Sequence, residues 1–273
     1  MAPPPTDIAD LGHSDLGHSD FGRPDLGDAP APSFAERVAG KLVVITGGGG
    51  LLGGALAREL GQRGADIALM GHDPDELDEV VSSLAPGTKA LTLRSDLASE
   101  SDVAGAVQFL EHLDRPVDLL IHGAGLQTPS TIAWSSVRGL DEHYLWNVRG
   151  PYLLTQKLLP LLSVRAGRVV FFMAPSPQDG GGGDVHHRIS SAGLESFARE
   201  LRIEADKMGI HVLTVNAFVK TWTDVSEAAG GPGGESLLSS FARAVSQAIL
   251  ADSVDVTDLT VKVPSGTRRV FQS

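Results

Sequence analysis

His187 and Ser191, four residues apart, are the side chains whose type and spacing best suit proton transfer. Four residues make about one helical turn, so the two project from one face of a helix that begins near them. Imidazole works as a general acid or base near neutral pH, and the positive end of a helix lowers its pKa and favours the neutral base. His122, His186, Asp184 and Ser176 fall on neighbouring turns and enlarge the candidate catalytic set. The same groups also read as polar residues on surface loops without a catalytic task, and both readings stand. No metal centre is expected from Asp184, His186, His187 and His122, because D-x-H-H matches no recognised ligand spacing.

These groups need a scaffold, and the stretch Lys41–Leu60, KLVVITGGGGLLGGALAREL, shows its kind. Val43, Val44 and Ile45 suit a buried strand, the glycines make a turn without bulky side chains, and Leu52, Ala55, Leu56, Ala57 and Leu60 recur at helical spacing. A strand, a glycine turn and a helix N-terminus together form a phosphate cradle. The unit repeats along the chain. Further strands are expected at Asp66–Met70, Ala90–Arg94, Val117–His122, Arg168–Met173, His211–Ala217 and Leu259–Val263. Helices are expected from Pro74 with Asp73 as cap, from Asp96 or Ser99 to about His112, and over about Glu142–Leu162, Ser190–Lys207 and Ser236–Leu250. The alternation predicts a Rossmann-like doubly wound parallel sheet of about seven strands in three α/β/α layers. Ligands of such a sheet lie beyond the carboxyl ends of its strands, which selects the turns at Gly47–Gly53, Gly71–Asp73, Asp96, His122–Gly125, Ala174–His187 and Ala217–Thr223.

A net charge of −12 without a basic block argues against nucleic acid or an anionic membrane as partner. Residues 1–33 form an acidic tail rich in Pro, Gly, Ser and Asp, with the repeat DLGHS, DLGHS, DFGRP, DLGDA and too little apolar area to offset the entropy of ordering. Residues 34–273 are read as a single domain. The absence of cysteine excludes disulfides and thiolate chemistry. With no signal-like N-terminus and no apolar run of membrane-spanning length, a cytoplasmic location is expected.

TGGGGLLG at Thr46–Gly53, SDL at Ser95–Leu97, HGAG at His122–Gly125, the WNVRGPYLLTQKLLP helix, GRVVFF from Gly167 and SSAGLESFARELRIEADKMGIHV from Ser190 together resemble the short-chain dehydrogenase/reductase family. The resemblance spans about Val38 to Gly266. It implies NADP(H) as a possible cofactor, held around Thr46, Gly47, Gly49, Gly50, Leu51, Leu52, Gly53, His72, Asp96, Leu97, Gly123, Ala124 and Gly125. It also implies that Asn147 occupies a catalytic position, although an asparagine there equally maintains a kinked helix.

The departures from the family pattern are as informative. Its Ser, Tyr and Lys positions fall on Ala174, His187 and Ser191. No change of register restores a Tyr-xxx-Lys pair, since the only tyrosines are Tyr144 and Tyr152 and no lysine lies between Lys157 and Lys207. Leu51 replaces the second glycine of the cradle, Gly71 stands where an NAD-selecting carboxylate belongs, and His72 stands where NADP-binding members often carry Arg. The expectation is an atypical member that no longer performs ordinary carbonyl reduction, a cyclase, dehydratase or isomerase acting on a small carbonyl-bearing metabolite. Two alternatives stand beside it: a non-catalytic subunit paired with an active homologue, and a reductase using His187 as proton donor. A homo-oligomer or a hetero-oligomer with a homologue is expected, and the non-catalytic subunit would pair through the last strand and the two long helices, Glu142–Leu162 and Ser190–Lys207, whose bundle would bury Leu153, Leu194, Phe197 or their neighbours.

Overall fold

The computed structural model describes residues 38–164, 167–173, 184–218, 236–251 and 257–262. The tail, Ala174, Ser176, Trp222 and the glycine runs 180–183 and 230–234 lie outside the described residues. Seven strands, β1 (Leu42–Thr46), β2 (Asp66–Gly71), β3 (Ala90–Arg94), β4 (Leu119–His122), β5 (Arg168–Met173), β6 (His211–Phe218) and β7 (Asp258–Lys262), form one sheet in the order β3-β2-β1-β4-β5-β6-β7. Every pairing is parallel, with Val43 opposite both Ile67 and Leu119. The strand order reverses between β1 and β4, so the ligand crevice opens at the turns after those two strands.

Helices α1 (Leu51–Gln62), α2 (Pro74–Ser82), α3 (Glu100–Glu111), α4 (Val137–Tyr144), α5 (Gly150–Ser163), α6 (Val185–Asp206) and α7 (Leu237–Ile249) cover the sheet. Two apolar clusters fill its two faces. Leu56, Leu60, Phe241 and Val245 pack from α1 and α7 on one side. Leu110, Leu154, Leu158 and Leu201 pack around Phe171 from α3, α5 and α6 on the other. As the sequence predicts, Asp73 caps α2 by accepting the Asp75 N–H at 2.9 Å, with Pro74 at the first helical position. Of the two candidate caps for α3, the structure uses Ser99, whose hydroxyl accepts from the Asp102 N–H at 3.3 Å. Among the described residues no helix is long and apolar enough to cross a membrane.

Two helix boundaries differ from the sequence reading. The helix expected from Glu142 begins at Val137, where Ser136 caps it through the Gly139 N–H, and it passes through a π turn at Leu145–Arg149 before continuing as α5. Pro151 explains the π turn: without an N–H it cannot bond the carbonyl of Asn147, and the chain widens so that the Gly150 N–H reaches Leu145 instead. The helix expected from Ser190 begins at Val185, because the Ser130 hydroxyl and carbonyl take the N–H groups of His186 and Val185 at 3.0 and 3.2 Å. His186 and His187 therefore sit in its first turn.

Candidate active site

The crevice has a glycine-built end and a side-chain-built end. At the first, Thr46 closes β1 with its hydroxyl accepting from the Ala124 N–H at 3.2 Å, which ties the turn after β1 to the turn after β4. Gly47 adopts φ +66, and a Cβ on it would lie 2.9 Å from Ala124. A Cβ on Gly123 would lie 2.9 Å from the Thr46 carbonyl, and one on Gly49 2.7 Å from the Cβ of Glu76. The tightest approach is at Gly53, where a Cβ would meet the Gly47 carbonyl oxygen at 2.2 Å. Gly50 is the N-cap of α1, and no side chain caps that helix, so its first N–H groups are available to an anion. Leu51 opens α1 with 44% of its surface exposed. It leaves the backbone cradle intact and sets an apolar side chain at its mouth.

The remaining cradle candidates are placed as follows. Leu52 and Leu97 are buried in the two cores, so only their backbones can reach a ligand. Asp96 is half-buried and accepts the Ala98 N–H at 2.8 Å. A Cβ on Gly125 would lie 3.7 Å from Asn147 Oδ1, an ordinary contact that leaves the turn open. His72 is exposed directly after β2, with its ring edge-to-face to Trp146 at 6.0 Å. A phosphate-bearing ligand fits this end on two counts: the uncapped α1 N-terminus and a turn that side chains would fill.

At the other end, His187 Nδ1 lies 3.1 Å from the Leu126 carbonyl and Nε2 lies 3.3 Å from the Ser191 hydroxyl. A carbonyl only accepts, so Nδ1 carries the proton, Nε2 carries the lone pair, and Ser191 donates to it. Burial holds the His187 pKa below the ordinary histidine value, against the raising effects of the Leu126 carbonyl and Asp184. The direction is the one expected from the sequence, but the cause is desolvation, with smaller lowering contributions from His143 and Arg188. Asn147 fixes the Leu126 peptide from both sides, accepting its N–H at 2.6 Å and donating to its carbonyl at 2.9 Å, while its second amide hydrogen reaches Ser190 Oγ at 2.8 Å. Asn147 thus sits one peptide away from the imidazole it orients.

His122 is not part of this arrangement. Its side chain is 2% exposed, stacked on Phe171 at 4.8 Å and paired through Nε2 with Thr155 at 2.8 Å. Burial pushes its pKa down to about 3, and Nδ1 has no partner. It is a neutral core residue rather than a catalytic one. Asp184 pairs with Arg188 at 2.5 Å, and His186 is buried against His143 with ring centroids 5.4 Å apart. Among the described residues no cluster of His, Asp or Glu could hold a metal ion. Leu126, Ser190 and His143 also belong to the site's framework; Leu126 and His143 carry no sequence motif, and Ser190 opens the SSAGLES segment without having been singled out within it. His143 is 1% exposed, donates to the Gly139 carbonyl at 2.7 Å and accepts from the Thr128 N–H at 3.3 Å.

The sequence profile of short chain dehydrogenases matches residues 41–230. The chain belongs to the short-chain dehydrogenase family. That family is one of oxidoreductases, and the relatives bear this out. Oxidoreductase UcpA of Salmonella typhimurium is 24% identical over 240 residues, covering 84% of this chain and 89% of its own. The 3-oxoacyl-[acyl-carrier-protein] reductase FabG of Aquifex aeolicus is 26% identical over 189 residues, covering 68% and 76%. Among solved structures, a metagenomic short-chain oxidoreductase in complex with NADP superposes with a TM-score of 0.70 at 19% identity, over 84% of this chain and all of that one. A dehydrogenase/reductase from Sinorhizobium meliloti gives 0.72 at 21% identity, over 84% and 96%. At these identities the structural likeness establishes the short-chain dehydrogenase fold.

Proposed function

We propose that this chain is an atypical short-chain dehydrogenase relative that transfers protons: a cyclase, dehydratase or isomerase acting on a small carbonyl-bearing metabolite, with His187 as base. The observation that carries this reading is the fixed tautomer of His187. A neutral imidazole whose Nδ1–H is engaged by Leu126 offers a lone pair at Nε2, so it can accept a proton there and has none to give. Nε2 removes a proton from the carbon next to the substrate carbonyl, and the Ser191 hydroxyl, released from Nε2, donates to the enolate oxygen that develops. The imidazolium then returns the proton to a different atom or expels a hydroxyl as water. Tyr144 and Tyr152 are exposed on α4 and α5 and supply no proton at His187.

The glycine turn favours a second reading, a reductase. Thr46 to Gly53 would hold NADP(H), with His72, Asp96 and the Gly123–Gly125 turn around it, and its nicotinamide would supply the hydride. That reading needs imidazolium as the proton donor, which the burial of His187 opposes. Deuterium exchange separates the two. In D2O without coenzyme, the intact chain should incorporate deuterium next to the carbonyl of a small hydroxyketone or ketoacid in a screened panel, and His187→Ala should not. Oxidation of NADPH by that panel with no exchange would replace the first reading by the second.

A third reading, pairing with a second copy or an active homologue, draws support from Tyr152, which is 49% exposed on α5 and packs on Phe197 of α6 at 5.1 Å. Leu194 is 8% exposed and already spent on the core, so it adds nothing to such a face.

A further inference from the structure

The peptide that orients His187 is held by more than Asn147. Residues 125–129, which follow the turn after β4, bury no side chain fully: Leu126 is half-buried, and Gly125, Gln127, Thr128 and Pro129 are exposed. Apolar packing therefore does not place the Leu126 carbonyl, and polar ties must. His143, buried on α4 one helical turn before Asn147, supplies one of them. Its Nδ1–H donates to the Gly139 carbonyl at 2.7 Å, so Nε2 keeps its lone pair and accepts from the Thr128 N–H and hydroxyl, each at 3.3 Å.

The two ties match in spacing. Side chains four residues apart on a helix stand about 5–6 Å apart, and two residues of extended chain span about 6–7 Å. His143 and Asn147 are four residues apart and their targets, Thr128 and Leu126, are two apart, so helix and segment form a ladder of two rungs running in opposite directions. One rung fixes a point and lets the segment pivot, whereas two fix its direction. Stability does not require the second rung, because Thr128 is exposed and its N–H would bond water without His143. The helix that carries His187 packs on the same frame. The His186 ring lies 5.4 Å from that of His143 at 65°, and a Cβ on Gly139 would lie 3.1 Å from His186 Cε1, so the first turn of α6 sits directly against the turn that anchors His143.

We infer that His143 is a positioning residue: by accepting the Thr128 N–H it sets the direction of the Leu126 carbonyl, and through that carbonyl the Nδ1–H tautomer of His187. Its consequence for turnover rests on the reading of His187 as the base, whereas its consequence for the tautomer does not, so each can fail without the other.

The test is the tautomer itself, read from long-range proton–nitrogen NMR correlations of the intact chain carrying isotope-labelled histidine, with the His187 signals assigned through His187→Ala. The intact chain should show His187 protonated at Nδ1. His143→Asn keeps an amide donor for Gly139 and is too short to reach Thr128, so His187 should pass to a mixture of tautomers and deuterium exchange into the substrate should fall roughly ten- to a hundred-fold. His143→Gln carries an amide oxygen near the place of Nε2 and should restore both. Thr128→Pro removes the N–H from the exposed side without touching the core and should repeat the effect of His143→Asn. The inference is overturned if His187 is not protonated at Nδ1 in the intact chain, if it keeps that tautomer in both His143→Asn and Thr128→Pro, or if His143→Gln disturbs it as much as His143→Asn. A tautomer that follows the ladder in a chain without deuterium exchange upholds the positioning role and removes His187 as the base.

Discussion

The two ends of the crevice are built from different materials. The end after β1 is made of backbone: glycines packed to 2.2–2.9 Å limits and helix N–H groups without a side-chain cap. The end after β4 is made of side chains, with His187, Ser191 and Asn147 linked through a single peptide at Leu126. Backbone architecture changes only when the fold changes, so the cradle keeps its shape even with Leu51 in it. Side-chain chemistry changes one residue at a time. A single framework can therefore keep its ligand cradle while its proton chemistry moves from one residue type to another.

The largest expected effect falls on the side-chain end. His187→Ala should lower isotope exchange roughly 10²- to 10⁴-fold while leaving the thermal midpoint nearly unchanged. Because burial keeps the His187 pKa below its usual value, the base form persists as the pH drops below about 6.5. The acid limb of kcat/KM should therefore lie below that of an ordinary histidine and vanish in the variant. A limb at or above the ordinary value would show that the imidazole is not held neutral.

The backbone end should answer in stability instead. Gly53→Ala places a methyl 2.2 Å from the Gly47 carbonyl, which is backbone and cannot give way, so a loss of about 3 kcal/mol or more is expected in urea unfolding. Gly105→Ala is the control, since a Cβ there meets nothing within 4 Å on α3 and should gain about 1 kcal/mol. Equal effects at the two glycines would mean that the cradle is looser than its geometry.

How much of this was legible in the sequence differs between the ends in the same way. Apolar β-branched runs and glycine spacing are local signals, and they place β1, the cradle and the sheet as a whole. The start of α6 is not local: it is set by Ser130, more than fifty residues away, and no periodicity near His187 reports it. The π turn had a signal in Pro151, which follows Asn147 at the distance where its N–H is needed. The fate of His122 was also written in the strand. Residues of one parity share a sheet face, and His122 shares parity with the fully buried Leu120, so it points into the core between α5 and β5 rather than into the crevice.

Asn147 connects the ends, and removing it should have an intermediate effect. Asn147→Ala deletes three hydrogen bonds and leaves the Leu126 peptide and Ser190 without those partners, which should cost about 2 kcal/mol. It should also lower exchange activity, because the carbonyl that fixes the His187 tautomer is no longer held. Stability lost with full activity would make Asn147 a structural residue only.

The smallest effect per step belongs to His122, and it tests whether a histidine in a crevice strand can be purely structural. Its imidazole titrates near pH 6.5 when unfolded and only near about 3 in the folded core. Below pH 6.5 the unfolded chain therefore binds the proton that the native state refuses. Stability is full above that pH and falls as acid is added, by up to about 1.4 kcal/mol per pH unit until the folded pKa is reached. His122→Gln keeps an amide near Thr155 and cannot titrate, so its unfolding free energy should vary less between pH 7 and 5, although packing against Phe171 is poorer. If both proteins lose stability with the same slope, the acid sensitivity arises elsewhere and the His122 ring is hydrated enough to ionise in place.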